Sequence, residues 1–309
     1  MSRTVAVVGA GTIGLSWAVL FAARGWQVRV QDPRQDLAEV VDGAVRRFGP
    51  GMREPVEPER ISANLRSFSA LSEALVGAEL VQESGPEDLG FKQGLFAEIE
   101  HLAPLQAVLA SSTSGNRPSD IAARMRGGAG RMLAAHPFNP PHLLPLVEVV
   151  PGSSTLESTV EQAVRLYREL GRTPVVVRRE KAGFVANRLQ SALFREAVSL
   201  VDEGVVTPAQ LDTVVTESLG PRWATGGPFL SYHLGGGPGG IRHFLHHLGP
   251  GMSRRWQDLG SPELTPELVE RLSQLVEREM PDHEQLAAER DRLEAAVLDA
   301  RDQQRQRPS

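Results

Sequence analysis

The 309-residue sequence contains no cysteine, which excludes disulfides, thiolate metal sites and thiol nucleophiles together. Lysine is almost as scarce, since of 33 basic residues only Lys92 and Lys181 are lysines. The arginines that replace it are dispersed, and at a net charge of −5 the chain lacks the concentrated positive surface that a nucleic acid requires. There is no apolar run near the roughly twenty residues of a membrane span, and no leader with charged and apolar regions. These absences predict a cytoplasmic protein with neither a membrane nor a nucleic acid as partner. His243, His246 and His247 share the i, i+3, i+4 spacing of helical metal ligands, but no carboxylate motif accompanies them, so no metal is expected. His142, in a proline-rich loop, is read as a bystander.

What is present is a hydrophobic fraction of 41%, enough for a sizeable core and for two domains. Val5, Val7 and Val8 run into Gly9-Ala10-Gly11-Thr12-Ile13-Gly14 and then a helical stretch to Ala23, closed by Gly25. The next strand, Gln27 to Val30, delivers Asp32 at its carboxyl end, completing a βαβ unit. Apolar strands at 80–81, 108–110, 132–134, 146–150 and 175–177 alternate with helical patterns. That alternation predicts an α/β fold with a Rossmann-like, doubly wound parallel sheet.

Near residue 181 the pattern turns wholly helical, so the reading is an NAD-binding domain over 1–181 and an all-helical C-terminal domain over 182–309. Val185, Leu189, Leu193, Ala197 and Val201 recur every fourth residue, which predicts one buried stripe ending at Gly204. Thr207-Pro208-Ala209-Gln210 reads as an N-cap, an N1 proline and a capping-box glutamine. The glycine-rich run from Gly235 to Gly240 follows no strand and is read as a mobile loop. A charged helix from Asp282 to Arg307 carries only Leu286, Leu293 and Val297 as a narrow apolar stripe.

Chemistry concentrates at two places. The G-x-G-x-x-G between a strand and a helix lets the backbone approach a pyrophosphate at a helix N-terminus, while Asp32 accepts from ribose hydroxyls. Gly9, Gly11, Thr12, Ile13, Gly14 and Asp32 are therefore cofactor residues, and the acid favours NAD over NADP. The second place lies between residues 111 and 148. Ser111-Ser112-Thr113-Ser114 follows one strand end, His136-Pro137-Phe138-Asn139-Pro140 follows another, and Glu148 comes after a proline-stiffened loop. If the chain returns on itself there, Glu148 orients His136, His136 acts as acid and base toward a substrate hydroxyl, and Ser114 holds the same oxygen.

Together with Gly183-Phe184-Val185-Ala186-Asn187-Arg188, these segments resemble the 3-hydroxyacyl-CoA dehydrogenase family in order and spacing, up to about residue 250. Within it, Ala135-His136-Pro137, Pro145 to Val149, Lys181 to Val185 and Arg222-Trp223-Ala224 are similar to the short branch of lambda-crystallin, L-gulonate 3-dehydrogenase and carnitine dehydrogenase. The chain is also similar to actinorhodin-type polyketide ketoreductases, and its arginine-rich, alanine-rich composition suits the high-GC coding of an actinomycete. The resemblance implies that His136 is the catalytic acid/base with Glu148 as partner, and that Ser114 and Asn187 bond the reacting oxygen. It also implies that Glu87, Lys92 and Ser112 lie near the nicotinamide ribose, Ser112 standing where the acyl-CoA enzymes often have asparagine. The expected activity is NAD-dependent interconversion of a 3-hydroxy acid and its 3-keto acid by a homodimer.

The acyl-CoA enzymes insert a lysine-rich helical hairpin after the second strand, whereas residues 38–68 here are short, hold Pro50, Pro55 and Pro58, and have no lysine. A free acid is therefore expected rather than a thioester. Arg222, after the helix stop expected at Leu219-Gly220-Pro221, is the candidate carboxylate anchor, with the Trp223 ring as an apolar wall. Sugar acids, carnitine-like acids, acyl-CoA and polyketide β-keto acids all remain open as substrates. A non-catalytic NAD(H)-binding structural or sensor protein is the rival from another class.

Overall fold

The computed structural model describes residues 3–305. The chain divides into two compact units, Met1–Arg188 and Leu189–Ser309.

The first unit is built on one eight-stranded sheet in the order β3-β2-β1-β4-β5-β6-β7-β8. Its strands are β1 (Thr4–Val8), β2 (Gln27–Gln31), β3 (Leu65–Phe68), β4 (Leu80–Glu83), β5 (Val108–Ser111), β6 (Met132–Pro137), β7 (Leu146–Pro151) and β8 (Thr173–Val176). β1 to β6 are parallel, β7 runs antiparallel to β6, and β8 is parallel to β7. This is the doubly wound sheet expected from the alternation, with one antiparallel turn where the chain doubles back. The winding reverses between β1 and β4, the crevice where open α/β sheets bind their ligands. β3 was not foreseen in the sequence, because it has four residues at the sheet edge and its central Arg66 and Ser67 face solvent.

The helix Thr12–Ala23 is apolar all round and accordingly buried, with Trp17, Leu20 and Phe21 fully inside. Its end is set by Gly25 at φ +81, a left-handed conformation that glycine adopts without a Cβ clash. Trp17 packs on Phe21 and on Tyr167 of the helix Glu157–Glu169, joining both helices to the sheet in a single core.

The second unit is helical. Thr207 and Gln210 form the expected reciprocal cap, and Gly204 at φ +70 ends the helix Ala186–Asp202. Three sequence expectations are corrected here. The stripe beginning at Val185 is not buried: Val185, Leu189 and Leu193 are exposed, and only Val198 and Ser199 are buried along that helix. Periodicity reports an apolar face, and burial depends on what lies against it. The glycine run is no mobile loop but a tight turn, Gly237–Gly239, between the helices Pro228–Gly235 and Gly240–Asp258. Gly237 and Gly240 take positive φ there, which accounts for glycine.

Nor is Leu219-Gly220-Pro221 a stop. A π-helical turn, Val215–Leu219, leads straight into the helix Gly220–Thr225. The wider turn accommodates a proline, which has no N–H to give, so Arg222 lies within a helix. The final helix spans His283–Arg305, and the last part of the expected Asp282–Arg307 segment, residues 306–307, lies outside the described residues. Among the described residues no helix is long and apolar enough to cross a membrane.

Candidate active site

At the winding reversal a cleft of about 690 Å³ opens between the glycine turn, Asp32 and Ser84. The glycines have separate steric reasons. A Cβ on Gly14 would fall 2.0 Å from the Gly9 carbonyl oxygen, and one on Gly9 would fall 2.8 Å from the Ser84 carbonyl. A Cβ on Gly11 would meet nothing within 4 Å, so it would fill the space above the helix N-terminus where an anion is best received. Asp32 accepts from the Ala10 amide at 2.8 Å and from the Arg34 amide at 3.1 Å. The Arg34 guanidinium is turned away onto Asp36 in a two-pronged pair at 2.6 and 2.9 Å. Phe91, Leu95 and Leu71 supply an apolar wall suited to a flat base. The cleft thus fits the phosphate, ribose and base of a dinucleotide.

The β6–β7 pairing puts His136 directly opposite Glu148. His136 Nδ1 lies 2.9 Å from Glu148 Oε2, and both side chains are buried. The other carboxylate oxygen accepts from the Val185 and Ala186 amides at 2.9 and 3.0 Å. Those amides open the helix Ala186–Asp202, an end that favours negative charge. Burial alone would raise the Glu148 carboxyl, but hydrogen bonds from His136, Ala186 and Val185 outweigh it and hold the group below the ordinary glutamate range. An ionised Glu148 fixes the proton on Nδ1 and leaves Nε2 of His136 as the exchanging nitrogen.

One contributor is not evident in the sequence. Phe184 holds φ +46 next to Gly183 at φ +72, and this bend aims the two amides at Glu148. Its buried ring lies 5.5 Å from the imidazole centroid, and Phe138 meets the same imidazole edge-on at 5.7 Å. Phenylalanine in a left-handed conformation costs about 1 to 3 kcal/mol, a strain retained where the surroundings demand the geometry.

The remaining candidates divide between surface and interior. Ser114 is exposed, and its carbonyl accepts from Asn187 Nδ2 at 3.3 Å. Glu87 orders the loop before it, accepting from Thr113 Oγ1 at 2.5 Å, Ser114 N at 3.0 Å and Gly115 N at 2.9 Å. Burial would raise the Glu87 carboxyl, but Thr113, the Lys92 charge and these amides lower it on balance. Lys92 itself is buried, its ammonium 2.8 Å from Glu83 and 3.6 Å from Glu87. Glu83, absent from the sequence reading, also accepts from Gly85 N and Ser111 Oγ. Ser112 Oγ is engaged by Gln82 and Ser84.

In the second unit Arg222 and Trp223 are exposed. His243 and His247 stack on each other on an exposed face, and His142 is buried against Ser16 and Phe48.

Residues 4–181 match the family model of the 3-hydroxyacyl-CoA dehydrogenase NAD binding domain, and residues 183–272 match that of the C-terminal domain. An L-carnitine dehydrogenase of Nocardiopsis dassonvillei is 44% identical over 271 residues, covering 87% of this chain and 82% of that protein. Another L-carnitine dehydrogenase, from Oceanobacillus iheyensis, is 38% identical over 300 residues, covering 96% and 97%. Among solved structures, an NAD+-dependent 5-formyl-3-hydroxy-2-methylpyridine 4-carboxylic acid 5-dehydrogenase aligns with TM-score 0.81 at 28% identity, covering 98% of this chain and 99% of that one.

Proposed function

Because the chain belongs to the 3-hydroxyacyl-CoA dehydrogenase family, we propose that its NAD-dependent oxidation of a 3-hydroxy acid to the 3-keto acid is carried out by His136, Glu148, Ser114 and Asn187. The observation that carries this reading is the buried His136–Glu148 pair. NAD bound in the glycine-turn cleft supplies the hydride acceptor, and NADH the donor in reverse. In the oxidative direction His136 Nε2 takes the hydroxyl proton while the Ser114 hydroxyl and the Asn187 amide hold the oxygen as charge develops on it. Glu148 stays ionised and stabilises the imidazolium that results. The protein's own part is orientation and proton transfer.

Asp32 makes NAD the expected cofactor. Steady-state comparison should give NADH a kcat/KM advantage over NADPH of at least about tenfold, because a 2′-phosphate would face the Asp32 carboxylate while Arg34 is occupied by Asp36. Equal use of NADPH would show that Arg34 leaves Asp36 for the phosphate.

The substrate we propose is a free β-hydroxy acid of the carnitine type, acted on in the cytoplasm by a homodimer. Support comes from the relatives named L-carnitine dehydrogenase and from the lysine-free segment where acyl-CoA enzymes carry a lysine-rich hairpin. The exposed apolar residues of the second unit, Phe229 at 83% and Leu234 at 68% among them, are the kind of surface a second copy covers. Arg222 is the proposed carboxylate anchor and the Trp223 ring the proposed face for a quaternary ammonium.

Kinetics with L-carnitine, its methyl ester and an acyl-CoA thioester check this. The acid should lead by about tenfold or more in kcat/KM, and Arg222→Met should raise its KM by a similar factor. Thioester turnover equal to that of the acid would sink the free-acid proposal, and an unmoved KM would remove Arg222 as anchor.

A further inference from the structure

A chain of polar groups, buried at Tyr167 and Gln82 and half-buried at Ser112 and Ser84, crosses the middle of the sheet without entering the chemistry above. It begins at Tyr167, which is fully buried. Burial pushes its phenol far above the ordinary tyrosine value, so the group stays protonated and must donate. It does so to Gln82 Oε1 at 2.5 Å. The amide is thereby fixed: its Nε2 donates to Ser112 Oγ at 2.8 Å. Turned over, Gln82 would set an N–H against the phenolic hydrogen in the buried core, which is costly.

Ser112 Oγ, which accepts from Gln82, lies 2.9 Å from Ser84 Oγ, and either hydroxyl can give the hydrogen between them. When Ser112 gives, Ser84 keeps its own hydrogen for a ligand, and Ser84 lines the cleft, with its backbone packed against Gly9 and its Cβ against Gly14. From Tyr167 to Ser112 the sense is fixed, and with Ser112 as the next donor it runs from the core outward to the glycine turn.

We propose that Ser84 donates a hydrogen bond to the pyrophosphate–ribose stretch of the bound dinucleotide, and that Tyr167, Gln82 and Ser112 are positioning residues that hold it in the donating sense. Phosphate and ribose oxygens both accept, so the shared chemistry is an oxygen acceptor beyond the first phosphate. The proposal rests on the dinucleotide occupying the glycine-turn cleft. It transfers the contact expected of Ser112 to the neighbour that Ser112 supports.

Calorimetric titration of the apo protein with NADH, ADP-ribose and AMP tests it. AMP lacks the pyrophosphate bridge and the second ribose, whereas ADP-ribose has both. Ser84→Ala should weaken NADH and ADP-ribose about three- to tenfold and leave AMP unchanged. Tyr167→Phe keeps the ring in the core and removes only the donor, and Ser112→Ala breaks the chain at a half-buried site where folding is not at stake. Each should weaken NADH about two- to fivefold, and neither should weaken it further in a Ser84→Ala background.

Unchanged NADH affinity in Ser84→Ala, or an equal loss for AMP, would overturn the donor assignment. Additive losses in the double variants would overturn the relay. Wild-type protein that binds none of the three ligands would instead overturn the dinucleotide cleft itself, a result distinct from the others.

Discussion

Replacing His136 with glutamine is expected to lower kcat by about two to four orders of magnitude, the range associated with a positioned general acid–base group. Glutamine is long enough to donate an amide hydrogen toward Glu148, so the pocket keeps a partner for the carboxylate. It has no group that gains and loses a proton near neutral pH. The dinucleotide cleft is built on β1, β2 and β4, whereas His136 stands on β6, so NADH affinity measured by fluorescence titration should stay within about twofold. The loss then falls on kcat, identifying an interaction made in the transition state. Turnover within a few-fold of wild type would remove His136 from the proton path. Tight NADH binding with no turnover in the wild type, across a panel of β-hydroxy acids, would instead favour the non-catalytic rival.

The second large effect is on stability. Lys92 and Glu83 are both essentially inaccessible, 1% and 0% exposed, and Glu83 divides its two oxygens among Lys92, Gly85 and Ser111. Lys92→Met fills nearly the same volume and removes the charge, leaving a carboxylate buried without its counter-ion. Breaking such a pair typically costs about 3 to 5 kcal/mol. For a unit of this size that corresponds to a fall in Tm of about 6 to 20 °C. Pairing it with Glu83→Gln should restore much of the loss, because the orphaned charge goes too. Scanning calorimetry of both variants decides the matter, and a Lys92→Met protein melting within 2 °C of wild type would show that water reaches Glu83. The same pair sits under the loop that carries Ser114, so the single variant should also lose activity before it melts.

The first unit was legible in the sequence wherever the signal was local. The glycine turn, the strand before it and Asp32 lie within one βαβ stretch, and steric demands as severe as 2.0 Å at Gly14 leave glycine no substitute. The helical region was legible in its caps, as Thr207 and Gln210 show, but not in its packing. An apolar face at Leu189 and Leu193 looks the same in sequence whether another element covers it or not.

The harder features were those made by distant segments. His136 and Glu148 were joined by assuming a returning chain, and the antiparallel register is what joins them. Phe184 gave no signal, because its residue type argues against the conformation it adopts. Glu83 and Gln82 end a short strand and belong to no motif. Their partners, Ser111 and Tyr167, come from elsewhere in the chain, so their roles appear only once the sheet is assembled.

The β6–β7 register bears also on how this enzyme can change over generations. Along β7, Val147 and Val149 enter the main core while Glu148 and Val150 face the other side. A slip of one residue would drive the carboxylate among aliphatic side chains and take Val147 and Val149 out of the main core. The pattern that folds the hairpin is thus also the pattern that aligns the proposed proton-transfer pair, and no shift of register can spoil the second while sparing the first. The connection between the strands is tied down as well, with Phe138 against the imidazole, His142 bonded to Ser16 and Leu143 buried. Selection for the folded hairpin is therefore also selection for the alignment of His136 with Glu148.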